Sequence, residues 1–155
     1  MKLLQALAQD RAEDLAFCPL VESSPQETIS VVIGRMRDRR CGCALVTEAG
    51  KLRGIFTERD VLTRVLAKEF SQTEPISAVM TPDPVTLTPQ DPVAEVIRRM
   101  HAGGYRHLPV IDSERNVLGV VSVKAVVCYL VEHFPAAVYN LPPDPAQRQS
   151  AREGA

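Results

Sequence analysis

The chain contains no tryptophan, and aromatic residues fill only 5% of its 155 positions. Its interior must therefore be built mainly from Val, Leu, Ile and Ala, within an apolar content of 45% that suffices for a core without external staples. There is no surplus of either charge: 18 Lys and Arg stand against 19 Asp and Glu, for a net charge of −1. That balance argues against a protein whose main work is gripping a nucleic-acid backbone, while leaving room for a local basic pocket. A long apolar run is also missing. "VLGVVSVKAVVCYLV" is interrupted by Lys124 and falls short of a membrane span, and "MKLL" is too soon broken by Gln5, Asp10 and Arg11 to be a secretion signal. Both absences lead to the expectation of a soluble, cytoplasmic protein with no membrane partner. Cys18, Cys41, Cys43 and Cys128 are then expected as reduced thiols. The "CGC" pair could hold a soft metal, but no second ligand cluster at zinc spacing follows, so small buried residues opening a strand are the simpler reading.

What is present is a repeat. Residues 24–66 align on 88–131 at a spacing of 64, shifting to 65 after the turn at Glu48–Gly50. "SPQETISVVIGRM" lies on "TPQDPVAEVIRRM", and "LRGIFTERDVL" lies on "VLGVVSVKAVV". Each copy is too small to bury a good core alone, so the two are expected to pack as one unit. "SPQE" and "TPQD" read as helix starts, with Ser24 or Thr88 as N-cap, proline at N1 and an acid at N3. Ile29, Val32, Ile33 and Met36, and likewise Val93, Val96, Ile97 and Met100, recur at helical spacing. Gly103 or Gly104 can supply the left-handed cap of the second of these helices. Two short strands follow in each copy, "CALV" and "LRGIF", then "HLPVI" and "VLGVV", joined by turn-forming residues. A further helix begins at Thr57 and at Ser122. With "CPLVES" and "PVTLT" as opening strands, the order is β-α-β-β-α twice. The class is α+β, two repeats packed as one pseudo-twofold module.

The boundaries follow: an N-terminal helix within 1–15, repeat 1 over 16–70, repeat 2 over 71–132, and a Pro-rich arm over 133–155. Pro135, Pro142, Pro143 and Pro145 imply that no regular element persists in the arm, although Phe134, Val138, Tyr139 and Leu141 could dock on this domain or a partner subunit.

The two copies differ where chemistry is concentrated. Thr57 and Asp60 form T-x-x-D after a strand, which is in itself a capping box. In the second copy Ser122 keeps the cap while Ala125 drops the acid, so the acid is not required to begin such a helix. A carboxylate beyond a strand's C-terminal end lies where α/β folds place ligands, and it can accept from both hydroxyls of a vicinal diol. Arg106 and His107, before the buried strand "LPVI", suit phosphate contacts. Their counterparts Gly42 and Cys43 do not.

These features resemble a tandem pair of CBS domains, named after cystathionine β-synthase and together called a Bateman module. The marks are "VMTPDPVTLTPQDPVAEVIRRM", "YRHLPVID" and the G-h-h-T/S-x-x-D pattern of "GIFTERD", and they cover about residues 12–132. The resemblance implies an adenosine-ligand sensor with two related clefts between the repeats. Carried onto this sequence, Asp60 and Thr57 would hold the ribose and first phosphate region, and Arg106 and His107 the phosphate, with Arg59 adding charge. Thr81, Pro84 and Val85 would line the adenine side, and Pro109 of the H-L-P-V strand joins the same ligand set. A second cleft would fall to Ser122 and Ala125 with Gly42 and Cys43, which lack both the acid and the bases, so one nucleotide per chain is expected.

The implied ligand is AMP, ADP or ATP, with S-adenosylmethionine and NAD behind them, and no cofactor is required. No Gly-rich phosphate loop, nucleophile motif or paired-metal signature appears, so a regulatory rather than enzymatic role is expected, exerted by a homodimer on a separate protein. The competing readings are an interaction scaffold that binds no ligand and a redox or metal sensor working through Cys41 and Cys43.

Overall fold

The computed structural model describes residues 2–139. It is an α+β protein whose strands fall into a four-stranded sheet, ordered β1 (Glu22–Ser23), β2 (Cys43–Glu48), β3 (Lys51–Thr57) and β4 (Thr81–Pro82), and a two-stranded sheet of β5 (His107–Ile111) and β6 (Val117–Ser122). Helix α1 (Lys2–Gln9) and a 3₁₀ turn (Ala12–Asp14) lead into β1 (Glu22–Ser23), α2 (Ile29–Asp38), β2 (Cys43–Glu48) and β3 (Lys51–Thr57). Next come α3 (Glu58–Asp60) with a π-helical continuation (Val61–Leu66), a second 3₁₀ turn (Ile76–Ala78) and β4 (Thr81–Pro82). The second copy contributes α4 (Val93–Gly103), β5 (His107–Ile111), β6 (Val117–Ser122) and α5 (Val123–His133), followed by a short α6 (Pro135–Tyr139).

Each repeat is centred on an antiparallel hairpin, β2 with β3 and β5 with β6. The first closes through Ala49 (φ 50°) and Gly50 (φ 76°), a two-residue turn whose left-handed backbone matches the strand twist. The two cores exchange residues, which binds the repeats into one unit. Ile111 and Val120 of repeat 2 are buried with Ile29, Val32, Leu45 and Phe56 of repeat 1. Ala12 and Leu15, from ahead of repeat 1, are buried with Leu87, Val93, Val96 and Val121 of repeat 2. The N-terminal segment thus belongs to the distant core. The phenol of Tyr129 donates to Asp10, which strengthens that attachment.

The helix starts differ from expectation. "SPQE" and "TPQD" form closed turns, in which Glu27 accepts from the Ser24 N–H at 2.9 Å and Asp91 from the Thr88 N–H at 2.7 Å. Thr28 (ψ 150°) and Pro92 (ψ 148°) are then extended, and the helices begin only at Ile29 and Val93. The reason is tertiary: the Ile29 N–H donates to the Glu74 carbonyl and the Val93 N–H to the Asp10 carbonyl, each at 2.9 Å. Neighbouring chain satisfies the free helical N–H groups that a hydroxyl cap would otherwise take.

The opening strands are also shorter than expected. Of "CPLVES" only Glu22–Ser23 pairs, in parallel with β2. "PVTLT" keeps a single parallel bridge, in which the Leu87 N–H donates to Pro109 at 2.8 Å and the Ile111 N–H to Leu87 at 2.9 Å. The proline-rich arm does hold one regular element. Pro135 stands at the first position of α6, where its missing N–H costs nothing. Phe134 packs against the second core, whereas Tyr139 is exposed. Leu141, Pro142, Pro143 and Pro145 lie outside the described residues.

Candidate ligand cleft

Where β3 ends, Thr57 is extended and caps the next turn: its hydroxyl oxygen accepts from the Asp60 N–H at 3.4 Å. Asp60 answers, its Oδ2 accepting from the Thr57 N–H at 2.8 Å and from the Thr57 hydroxyl at 2.9 Å. Its other oxygen, Oδ1, lies 3.3 Å from Arg64 Nε, and Arg64 is itself anchored on the Val79 carbonyl at 3.0 Å. Asp60 is 8% exposed, and its carboxylate is held on both edges and retains acceptor capacity at Oδ1.

Gly54, which opens the motif, has a local reason as well. A Cβ there would stand 2.9 Å from the Thr81 carbonyl, so only glycine lets β4 pair with β3. That pairing brings Thr81 and the following Asp83, Pro84 and Val85 to the same end of the sheet as Asp60.

Repeat 2 supplies the opposite wall. Gly104 ends α4 in the left-handed conformation (φ 65°), turning the chain so that Tyr105, Arg106 and His107 enter β5 along the cleft. The Arg106 carbonyl accepts from the Val123 N–H at 3.0 Å, and the Gly42 carbonyl accepts from the Glu58 N–H at the same distance. These equivalent bonds fix the two strand entries, and Gly42 and His107 meet between the repeats. A Cβ on Gly42 would stand 3.0 Å from His107 Cε1, so the glycine makes room for the imidazole. Burial pushes the His107 pKa below its ordinary value; Arg106 lowers it further and Glu58 opposes the shift. Across the mouth, Arg59 Nη1 reaches the Gly104 carbonyl at 3.4 Å.

The result is a cleft of about 360 Å³ between the repeats. Eight of the nine residues expected at a site line it: Thr57, Arg59, Asp60, Thr81, Pro84, Val85, Arg106 and His107. Pro109 does not, because it is buried in β5 opposite Val120. Gly42 was expected in a second cleft with Cys43, and the structure corrects this. Gly42 lines the Asp60 cleft, while Cys43, one residue further along an alternating strand, points into the core. Sequence reasoning also missed Glu58, Arg64 and Asp83, and the apolar walls Ile55 and Leu108. Ile55 is legible in retrospect, since it precedes Thr57 by the two-residue period of a strand.

Chemically, the cleft joins a buried acceptor-only carboxylate, an arginine and an imidazole, and apolar surface from Ile55, Pro84, Val85 and Leu108. At the equivalent place in repeat 2, the Ser122 hydroxyl accepts from the Ala125 N–H at 3.1 Å and no carboxylate accompanies it. Cys41 and Cys43 offer no comparable chemistry. Cys41 donates its thiol proton to the Pro19 carbonyl at 2.9 Å, and burial pushes the Cys43 thiol well above its ordinary pKa, away from the thiolate that oxidation or metal binding needs. Among the described residues no group of three or more His, Cys, Asp or Glu is arranged to hold a metal, and no helix is long and apolar enough to cross a membrane.

A doubled β-α-β-β-α unit with a cleft between its halves defines a CBS-domain pair. The CBS domain family model matches residues 12–67 and 76–132, and the chain belongs to that family. It is 38% identical over 105 residues to the CBS domain-containing protein CBSCBSPB1 of Arabidopsis thaliana, covering 67% of this chain and 19% of that protein, so it spans only about a fifth of that relative. It is 30% identical over 100 residues to the CBS domain-containing protein YhcV of Bacillus subtilis, covering 64% of this chain and 71% of that one. Among solved structures it is similar to a CBS-domain containing protein of Agrobacterium tumefaciens, with 28% identity and a TM-score of 0.69 over 77% of this chain and 98% of that one. A CBS domain protein of Pyrobaculum aerophilum complexed with AMP matches with 24% identity and a TM-score of 0.69, over 79% and 98% of the two chains.

Proposed function

We propose that this chain is an adenine-nucleotide-binding regulatory module that binds one nucleotide in the Asp60 cleft and acts on a separate protein rather than catalysing a reaction. The observation that carries this reading is the meeting of the Thr57–Asp60 cap from repeat 1 with Arg106 and His107 from repeat 2 across one cleft. A vicinal diol on the free acceptor positions of Asp60 would set a phosphate toward Arg106, and a planar base would lie against Pro84 and Val85. The AMP complex of the Pyrobaculum aerophilum protein supports the ligand class. A second similar structure, a CBS domain pair with 5′-methylthioadenosine and S-adenosylmethionine, extends that support to other adenosyl compounds.

A homodimer belongs to the same reading. Leu62 and Leu66 on the first repeat's closing helix, and Val123 and Val127 on the second's, are exposed apolar side chains that a partner copy would cover. Melting the protein with AMP, ADP, ATP, S-adenosylmethionine and NAD tests the function. Ligand at about a hundred times its Kd adds about 2.7 kcal/mol of stability. A melting temperature unmoved by millimolar ligand across the panel would overturn the sensor and favour a scaffold that binds none.

A further inference from the structure

Resting on the nucleotide reading of the cleft, a charge count among its lining residues separates one ligand class from the next. Two of its three acids are already answered: Asp60 by Arg64 at 3.3 Å, and Asp83 by Arg115 at 2.9 Å. Arg59 is turned toward the Gly104 carbonyl. Glu58 is different, because it takes part in no ion pair among the described residues. Its backbone is fixed by the bond to Gly42. A Cβ on Gly42 would stand 3.5 Å from Glu58 Oε2 and 3.0 Å from His107 Cε1, so the free carboxylate lies beside the imidazole at the phosphate end. Burial favours the neutral form of His107, which leaves Arg106, with Arg59 at the rim, to offset phosphate charge against Glu58.

One phosphoryl group can sit on Arg106. Each further one adds negative charge to an end that already holds an unpaired carboxylate, and like charges brought together lose affinity. We propose that Glu58 is a specificity-determining residue, setting the cleft to take a nucleoside monophosphate in preference to the di- or triphosphate of the same nucleoside.

Calorimetry with AMP and with ATP, in magnesium-free buffer of low ionic strength, tests this on the unmodified protein, Glu58→Gln and Glu58→Lys. AMP is expected to bind about tenfold more tightly than ATP to the unmodified protein, the equivalent of about 1.4 kcal/mol. Glu58→Gln should shrink that ratio to about threefold or less, and Glu58→Lys should reverse it. Because Glu58 is exposed to solvent, added salt should narrow the native ratio. Equal affinities in the unmodified chain, or a ratio indifferent to both substitutions or to salt, would overturn the role of Glu58 and leave the nucleotide site standing. Failure of AMP, ADP and ATP alike to bind would overturn the reading beneath it.

Discussion

Thr57–Asp60 and Ser122–Ala125 stand at the same point of the two repeats and begin the same kind of helix. Both use a hydroxyl that accepts from the backbone N–H three residues on. Only the first adds a carboxylate, yet its helix is the less regular, three α-helical residues before a π-helical stretch, whereas α5 runs for eleven without an acid. The acid is therefore not a requirement of helix formation. Its surroundings differ correspondingly. Around Asp60 stand Arg64, Arg106 and His107, while the Ala125 side chain is buried with Val126 and Tyr129 in the second core. Duplication supplied two equivalent caps, and one of them carries polar chemistry that its fold does not need.

The comparison is broken most directly at Asp60. Asp60→Ala should weaken AMP binding by about a hundredfold or more, since hydrogen bonds to a charged group are worth about 1.5–3 kcal/mol each. The reciprocal Ala125→Asp should create no second site, because position 125 is buried with Val126 and Tyr129 in the second core, whereas Arg106 and His107 line the Asp60 cleft. Calorimetry reading two equivalent sites in the native chain, or undiminished affinity in Asp60→Ala, would refute the asymmetry.

Arg106→Ala comes next, with an expected loss of about tenfold for AMP and little change for adenosine, as only a phosphate contact is removed. Parallel losses for nucleotide and nucleoside would place Arg106 elsewhere in the recognition. A smaller effect is expected from Ser122→Ala: about 1 kcal/mol of stability from the lost cap, read by thermal or urea unfolding, with AMP affinity unchanged.

The smallest effect concerns pH. His107 titrates below its ordinary value of 6.5 in the folded protein, so on acidification the unfolded chain takes up the proton first. Stability is then lost as pH falls through about 6.5 toward the lowered folded value, and regained as pH rises. His107→Gln should flatten that part of the stability curve. An unchanged curve would show that the imidazole is not buried as described.

Much of this was legible without coordinates. The repeat, its hairpins, the Thr57 and Ser122 caps and the glycine at the end of α4 are local matters. Hydroxyl positions, strand alternation and left-handed turns are properties of a few consecutive residues. The unequal chemistry of the two caps was legible for the same reason, since Asp60 and Ala125 can be compared by alignment alone.

What tertiary structure decided is everything that depends on a distant neighbour. The helix starts moved because Glu74 and Asp10 carbonyls take the first helical N–H groups, and no pattern near Ser24 or Thr88 reports that. Gly42 changed cleft because it meets His107 of the other repeat, a contact between residues 65 positions apart. Asp83 joined the cleft in the same way, bound to Arg115, while Glu58 takes part in no ion pair among the described residues. Sequence alone determined which groups this chain could bring to a ligand, because side-chain chemistry is a local property. The packing of one repeat on the other decided which of those groups share a cleft and which are already paired, because charge pairing and burial are set by atoms that approach only in the folded chain.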